Sequence, residues 1–164
     1  MAGVSNSSPL LYLARLSDLD VLPKLFGHIT IAEAVWRELV VEGKGKPGAA
    51  EVEKARGGWL SVESVANRES IADLAALGLH PGEAETILLA NQIGQHIVFM
   101  DDERGVRLAR AQGLEVVRTV AIYIAATRLG WIDGIRPKLD ELRSNGFRLR
   151  DVHYRAILQA VGEL

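Results

Sequence analysis

The strongest constraint on the fold is one short apolar run that lies between two helical segments, within residues 79–113. The run, HIVFM at residues 96–100, is rich in β-branched and aromatic side chains and typical of a buried parallel strand. Asp101 and Asp102 follow it directly. Ligands of parallel α/β sheets bind beyond the carboxyl ends of the strands, so this pair is a candidate metal or acid–base site. The alternative is that Asp102 only caps the next helix and Asp101 is solvated.

Strand and helix patterns alternate along most of the chain. Further strands are predicted near residues 3–5, 28–31, 59–65 and 114–119, and the pattern is helical from residue 120 onward. The alternation predicts an α/β fold, a three-layer α/β/α sandwich with a central, mainly parallel twisted sheet and C-terminal helices. The strand at 59–65 alternates apolar and polar residues, so we expect it at an edge. A length of 164 residues predicts a single domain over 1–164.

Two local patterns give sharper expectations about helix ends. Ser8 followed by Pro9 predicts that the first helix opens with a capping hydroxyl and a proline at its first position. Residues 32–42 predict one continuous helix whose apolar face includes Val35 and Leu39, with Glu38 at the margin of that face.

Composition excludes several classes of function. The 19 Lys and Arg against 21 Asp and Glu give a net charge of -2, which argues against a partner held only by a general basic field. The absence of cysteine excludes disulfides and thiolate chemistry. No segment approaches about 18 uncharged apolar residues and the N-terminus has no basic leader, so we expect a cytoplasmic protein without a membrane partner. Ser7 and Ser8 have no plausible histidine base, which argues against a serine hydrolase.

Oxygen-bearing side chains recur at comparable places in successive strand–helix units. If the strands are parallel and adjacent, these side chains converge on one end of the sheet; they are Asn6, Glu38, Glu83, Asp101 and Asp102. Oxygen ligands without His or Cys suit Mg²⁺ or Mn²⁺. Such an ion positions and activates water for attack on a phosphodiester. For Glu38 and Glu83 taken alone, a solvated helix face is the alternative.

Five ordered segments resemble the PIN-domain family, and within it the branch of PIN-like proteins related to the toxins of toxin–antitoxin pairs. The segments are VSNSSPLLYLARLSDLDVLPKLFG, IAEAVWREL, PGEAETILLA, VFMDDERGVRLARAQGLEVV and GWIDGIRPKLDELRSNGFRL. The resemblance implies a Mg²⁺- or Mn²⁺-dependent endoribonuclease that binds RNA and a small antitoxin protein, often as a homodimer. It also implies a metal site lined by Asn6, Glu38, Glu83 and Asp102, with Asp101 as an added or alternate ligand.

The resemblance gives Ser8 a role in holding the first metal ligand or the substrate phosphate, and Glu85 is an alternative register for Glu83. Asn6 departs from the family, which usually has Asp there. An amide oxygen can ligate Mg²⁺ but brings no charge and cannot act as a base. We therefore expect a competent but weaker site, partly compensated by Asp101. The alternative is a PIN-like RNA- or protein-binding module without turnover.

Arginines on the helix after the acid pair form a candidate RNA-binding stripe. Arg104, Arg107 and Arg110 recur at every third position, and guanidinium groups beside the site suit an RNA backbone. A solvated helix face is the alternative. A receiver-type phosphoryl-transfer protein is disfavoured, because no acid pair follows the first strand.

Overall fold

A five-stranded, all-parallel sheet forms the centre of the computed structural model, which describes residues 2–164. The strand order is β3-β2-β1-β4-β5. The strands are β1 (Ala2–Ser5), β2 (His28–Ala32), β3 (Leu60–Glu63), β4 (Ile97–Phe99) and β5 (Glu115–Val117). The order extends from β1 in both directions, so the point at which the winding of the chain reverses lies between β1 and β4. Sheets of this kind bind ligands outside the strand ends at that point.

Helices cover both faces of the sheet, which confirms the predicted three-layer sandwich. They are α1 (Ser7–Arg15), α2 (Val21–Phe26), α3 (Glu33–Trp36), α4 (Ala49–Ala55), α5 (Arg68–Ala76), α6 (Pro81–Ile93), α7 (Glu103–Ala111), α8 (Thr119–Arg128), α9 (Ile135–Ser144) and α10 (Asp151–Val161). Residues of α5, α6 and α7 build one buried cluster, and residues of α1, α2, α8, α9 and α10 build the other. Neighbouring strand residues alternate between the clusters: Phe99 belongs to the α1/α8 side, and Val98 and Met100 to the α6/α7 side.

The predicted continuous helix at 32–42 is interrupted. Helix α3 runs directly into a π-helical segment, Arg37–Val41, in which the Glu42 N–H donates to the Arg37 carbonyl at 2.8 Å. The wider turn keeps Leu39 and Val40 buried. Single π turns inside helices are frequent at functional sites, and this one carries Glu38.

The predicted cap at Ser8 is wrong. Helix α1 begins one residue earlier, at Ser7, with Asn6 as its N-cap residue. The Ser8 hydroxyl instead donates a hydrogen bond to the Asp101 carboxylate, 93 residues away. Ser8 therefore does not cap the helix, because its side chain bonds to a residue far along the chain. A local sequence pattern cannot predict such a contact.

The C-terminal helices dock through two carboxylates. Asp18 accepts hydrogen bonds from the Tyr123 hydroxyl of α8 and from Lys138 of α9, each at 2.8 Å. Glu163 accepts from the backbone N–H groups of Ile135 and Arg136, which are unsatisfied donors at the start of α9. Between residues 2 and 164, no helix is long and apolar enough to cross a membrane.

Candidate acidic site at the carboxyl edge of the sheet

Asn6 lies at the reversal point of the sheet, immediately after β1. Its backbone N–H donates to the Phe99 carbonyl of β4 at 2.9 Å, which joins the ends of the two strands. Its residue surface is 7% exposed, and no hydrogen bond from residues 2–164 engages its side chain. Because side chains alternate along β1 and β4, Asn6 and Asp102 lie on the same side as Val4 and Met100, facing α6 and α7.

Gly82 brings Asn6 and Glu38 together. A Cβ placed on Gly82 would lie 3.1 Å from Asn6 Oδ1 and 3.3 Å from Glu38 Oε2. Both oxygens therefore approach one point on helix α6, where only a glycine gives them unhindered room. The Ser7 hydroxyl donates to Glu38 Oε2 at 2.7 Å, so the residue after Asn6 also orients Glu38.

Glu83 sits in the first turn of α6, after Pro81 at the first helical position. Its Oε2 accepts from the His80 N–H at 3.3 Å, which satisfies one free donor at the helix start. The residue is buried, 6% exposed. Burial raises the pKa of the Glu83 carboxyl, and the nearby charges of Asp102 and Glu38 raise it further. Glu83 thus shares one electrostatic neighbourhood with Glu38 and Asp102.

Asp102 caps helix α7. Its Oδ1 accepts from the N–H groups of Arg104 and Gly105, at 3.0 and 3.4 Å. The capping geometry that served as the alternative interpretation is therefore present, and it engages only one carboxylate oxygen. Within residues 2–164 no donor engages Oδ2, so capping leaves this oxygen for a ligand.

Asp101 points away from this group. Its carboxylate accepts from the Ser8 hydroxyl, from the Thr119 N–H at 2.9 Å and from the Thr119 hydroxyl at 2.6 Å. These donors belong to the first turns of α1 and α8, on the opposite side of the sheet from α6 and α7. Of the five predicted metal ligands, Asn6 and Glu38 lie together at Gly82, and Glu83 lies within range of the charges of Glu38 and Asp102. Asp101 is engaged elsewhere.

A cleft of about 310 Å³ opens beside Glu83 and Asp102. It is lined by Gly78, His80, Glu83, Asp102, Glu103, Arg104 and Arg107. The predicted arginine stripe thus supplies two cleft residues, and Arg110 is not among them. Arg104 Nη1 donates to the Gly78 carbonyl at 3.0 Å. Arg118, which follows β5, pairs with Glu103 at the rim of the cleft.

The donor set favours a hard cation, but the side chains do not form a closed cage. Among the described residues, no group of three or more His, Asp or Glu side chains is arranged to hold a metal ion. Mg²⁺ commonly keeps several waters and uses only one or two protein carboxylates. Glu38, Glu83 and Asp102 each have one oxygen held by a protein donor. The chemistry therefore fits a hydrated Mg²⁺ or Mn²⁺ ion.

A family model described as a PIN domain matches residues 2–163. The chain belongs to the PIN-domain family. PIN domains are generally nucleases that depend on a divalent metal, and the predicted membership is confirmed. The toxin-related branch within the family stays a prediction. Among curated proteins, none matches the chain significantly.

Three residues that support the acidic site of this PIN domain were not predicted from the sequence. Ser7 orients Glu38, Thr119 binds Asp101, and Gly82 makes room for two oxygens. The first two act on partners 31 and 18 residues away, and no local pattern marks such contacts. Gly82 did carry a signal, because it directly precedes Glu83 in PGEAETILLA, one of the segments that resemble the family.

Proposed function

We propose that this PIN domain is a metal-dependent endoribonuclease that cleaves RNA phosphodiesters. The observations that support the proposal are that Asn6 and Glu38 meet at Gly82, next to Glu83, and that Glu83 and Asp102 line one cleft. These four residues would hold Mg²⁺ or Mn²⁺. When bound there, the ion supplies an activated water and neutralises charge on the phosphate.

The four residues differ in charge, and protein donors orient the three carboxylates among them. Asn6 offers a neutral oxygen, and the three carboxylates offer negative charge. A protein donor binds one oxygen of each carboxylate, which fixes its orientation and still leaves acceptor positions for the ion. Burial raises the pKa of Glu83, and the nearby charges of Asp102 and Glu38 raise it further; a divalent cation would relieve the repulsion between these carboxylates.

Arg104 and Arg107 are the proposed RNA contacts. Both line the cleft next to Glu83 and Asp102, so a backbone phosphate bound by their guanidinium groups would lie close to the acids. The net charge of -2 means that RNA affinity would depend on such local groups, and would fall as salt rises.

The biological setting is proposed from the sequence resemblance. We expect a cytoplasmic, single-domain toxin of a toxin–antitoxin pair, a small antitoxin that covers the acidic site, and a homodimer. The second candidate function is an RNA- or protein-binding module, which Asn6 favours because it removes one charge from the site.

The deciding experiment compares wild type with Asp102→Asn. Asparagine is as good an N-cap as aspartate, so the fold should survive, and exposed Asp73→Asn on α5 is the matched control. We expect Mn²⁺ binding by electron paramagnetic resonance, and Mg²⁺-dependent cleavage of a mixed RNA pool, in wild type and the control. Both should be lost in Asp102→Asn.

Two results would contradict the proposed nuclease function. Cleavage that persists unchanged in Asp102→Asn would place the activity outside this site. RNA binding that survives in wild type, without Mn²⁺ binding or cleavage, would establish the binding module instead.

A further inference from the structure

Adjacent residues of an extended chain point to opposite faces, and this separates the acid pair. Phe99 packs on the α1/α8 side and Met100 on the α6/α7 side. Continuing this alternation, Asp101 returns to the α1/α8 side, and Asp102 joins Glu83 on the α6/α7 side. The hydrogen bonds agree, since every partner of Asp101 lies at the start of α1 or α8.

The Asp101 carboxylate has little capacity left for a metal ion. Two carboxylate oxygens offer about four acceptor positions, and Ser8 and Thr119 fill three of them. Thr119 is fully buried, and its N–H is the first of the unsatisfied donors at the start of α8. Asp101 therefore already satisfies a buried helix end, a role that ligation would compete with.

The backbone on both sides of Asn6 is tied to β4 or to the residue pair that follows it. The Asn6 side chain has no hydrogen bond from the described residues, so its placement depends on the backbone on either side. On one side its own N–H is tied to Phe99 of β4. On the other side Ser8, two residues on, is tied to Asp101 at the end of the same strand.

We infer that Asp101 is a positioning residue and not a metal ligand: it fastens the first turns of α1 and α8 to the end of β4, and so fixes Asn6 and Asp102 relative to each other. The inference rests on the proposed metal site for its consequence, but the fastening itself is independent of any ion. Ser8 and Thr119 belong to the same unit.

The test compares Mn²⁺ affinity in substitutions that separate charge from hydrogen bonding. Asp101→Asn keeps an acceptor for the Thr119 N–H, and its amide can donate to both hydroxyls, so its Kd should stay within a few-fold of wild type. Asp101→Ala and Thr119→Val should raise Kd about tenfold, the usual effect of losing a group that orients a ligand. Thr119→Ser, which keeps the hydroxyl, should retain wild-type affinity. Asp102→Asn, the ligand control, should lose binding.

A Kd for Asp101→Asn as weak as that of Asp102→Asn would overturn the inference, because it would show that the charge of Asp101 is needed at the ion. So would wild-type affinity in both Asp101→Ala and Thr119→Val.

Amide hydrogen exchange and side-chain amide spectra of the metal-free protein test the positioning role independently of the proposed nuclease function. In Asp101→Ala, we expect faster exchange of the Thr119 N–H and a shifted Asn6 side-chain resonance, with both near wild type in Asp101→Asn. Unchanged values in Asp101→Ala would refute the positioning role. If wild type fails to bind Mn²⁺ but these changes occur, the proposed function fails and the positioning role stands.

Discussion

Replacing Gly82 by alanine tests the acidic site with the smallest possible intrusion. The new methyl would lie 3.1 Å from Asn6 Oδ1 and 3.3 Å from Glu38 Oε2, so both oxygens must retreat by a few tenths of an ångström. The backbone of Gly82 does not have a positive φ, and alanine therefore adds no backbone strain.

Opposing terms nearly cancel in the free energy of unfolding. Alanine is favoured over glycine in a helix by up to about 1 kcal/mol, and displacing Asn6 from its preferred rotamer costs about 0.5–1.5 kcal/mol. The net change should lie within about 1 kcal/mol, which for a chain of this size shifts Tm by about 2–4 °C.

Metal binding should respond far more than stability. The methyl would displace one oxygen of each of two proposed ligands, and Mg²⁺ tolerates little departure from its preferred geometry. We expect the Mn²⁺ Kd, measured by electron paramagnetic resonance, to rise at least about tenfold. Gly58→Ala is the matched control: Gly58 precedes β3, and a Cβ there would meet only the Ala55 carbonyl, at 3.5 Å. Wild-type affinity in Gly82→Ala would show that Asn6 and Glu38 do not share an ion. A large loss of Tm would show that packing dominates.

Two further substitutions probe electrostatics and packing. Burial and the charge of Asp102 raise the pKa of Glu83 above its ordinary value of 4.5, so the Glu83 carboxyl stabilises the fold below that value and this stabilisation is lost as pH rises through the raised pKa. Glu83→Gln should therefore be more stable than wild type at pH 7 in EDTA, with no gain at pH 4, in urea denaturation. Tyr123→Phe removes the hydroxyl that donates to Asp18 and should lower the free energy of unfolding by about 1.5–3 kcal/mol while leaving Mn²⁺ affinity unchanged; an equal loss of affinity would contradict the separation of this contact from the acidic site.

The sequence predicted the sheet well because its signals are local. The run at 96–100 and its flanking helices carry their periodicity within a few residues, and α9 and α10 lie in the stretch predicted to be helical from residue 120 onward. Convergence of the acids was also predictable, since parallel strands bring their carboxyl ends to one edge. The division between Asp101 and Asp102 was harder to predict, because both residues satisfy the same rule for strand ends. The hydroxyls of Ser8 and Thr119, which engage Asp101 and not Asp102, are supplied by distant segments.

The π-helical segment at Arg37–Val41 amounts to one surplus residue within an otherwise ordinary helix. A surplus residue turns every later side chain by roughly 100° relative to the earlier ones. Deleting a single residue there would restore the regular winding and rotate the side chains after the deletion, by about the same angle, relative to those before it. The number of residues in this turn therefore helps to decide which of its side chains face the core and in which direction Glu38 projects.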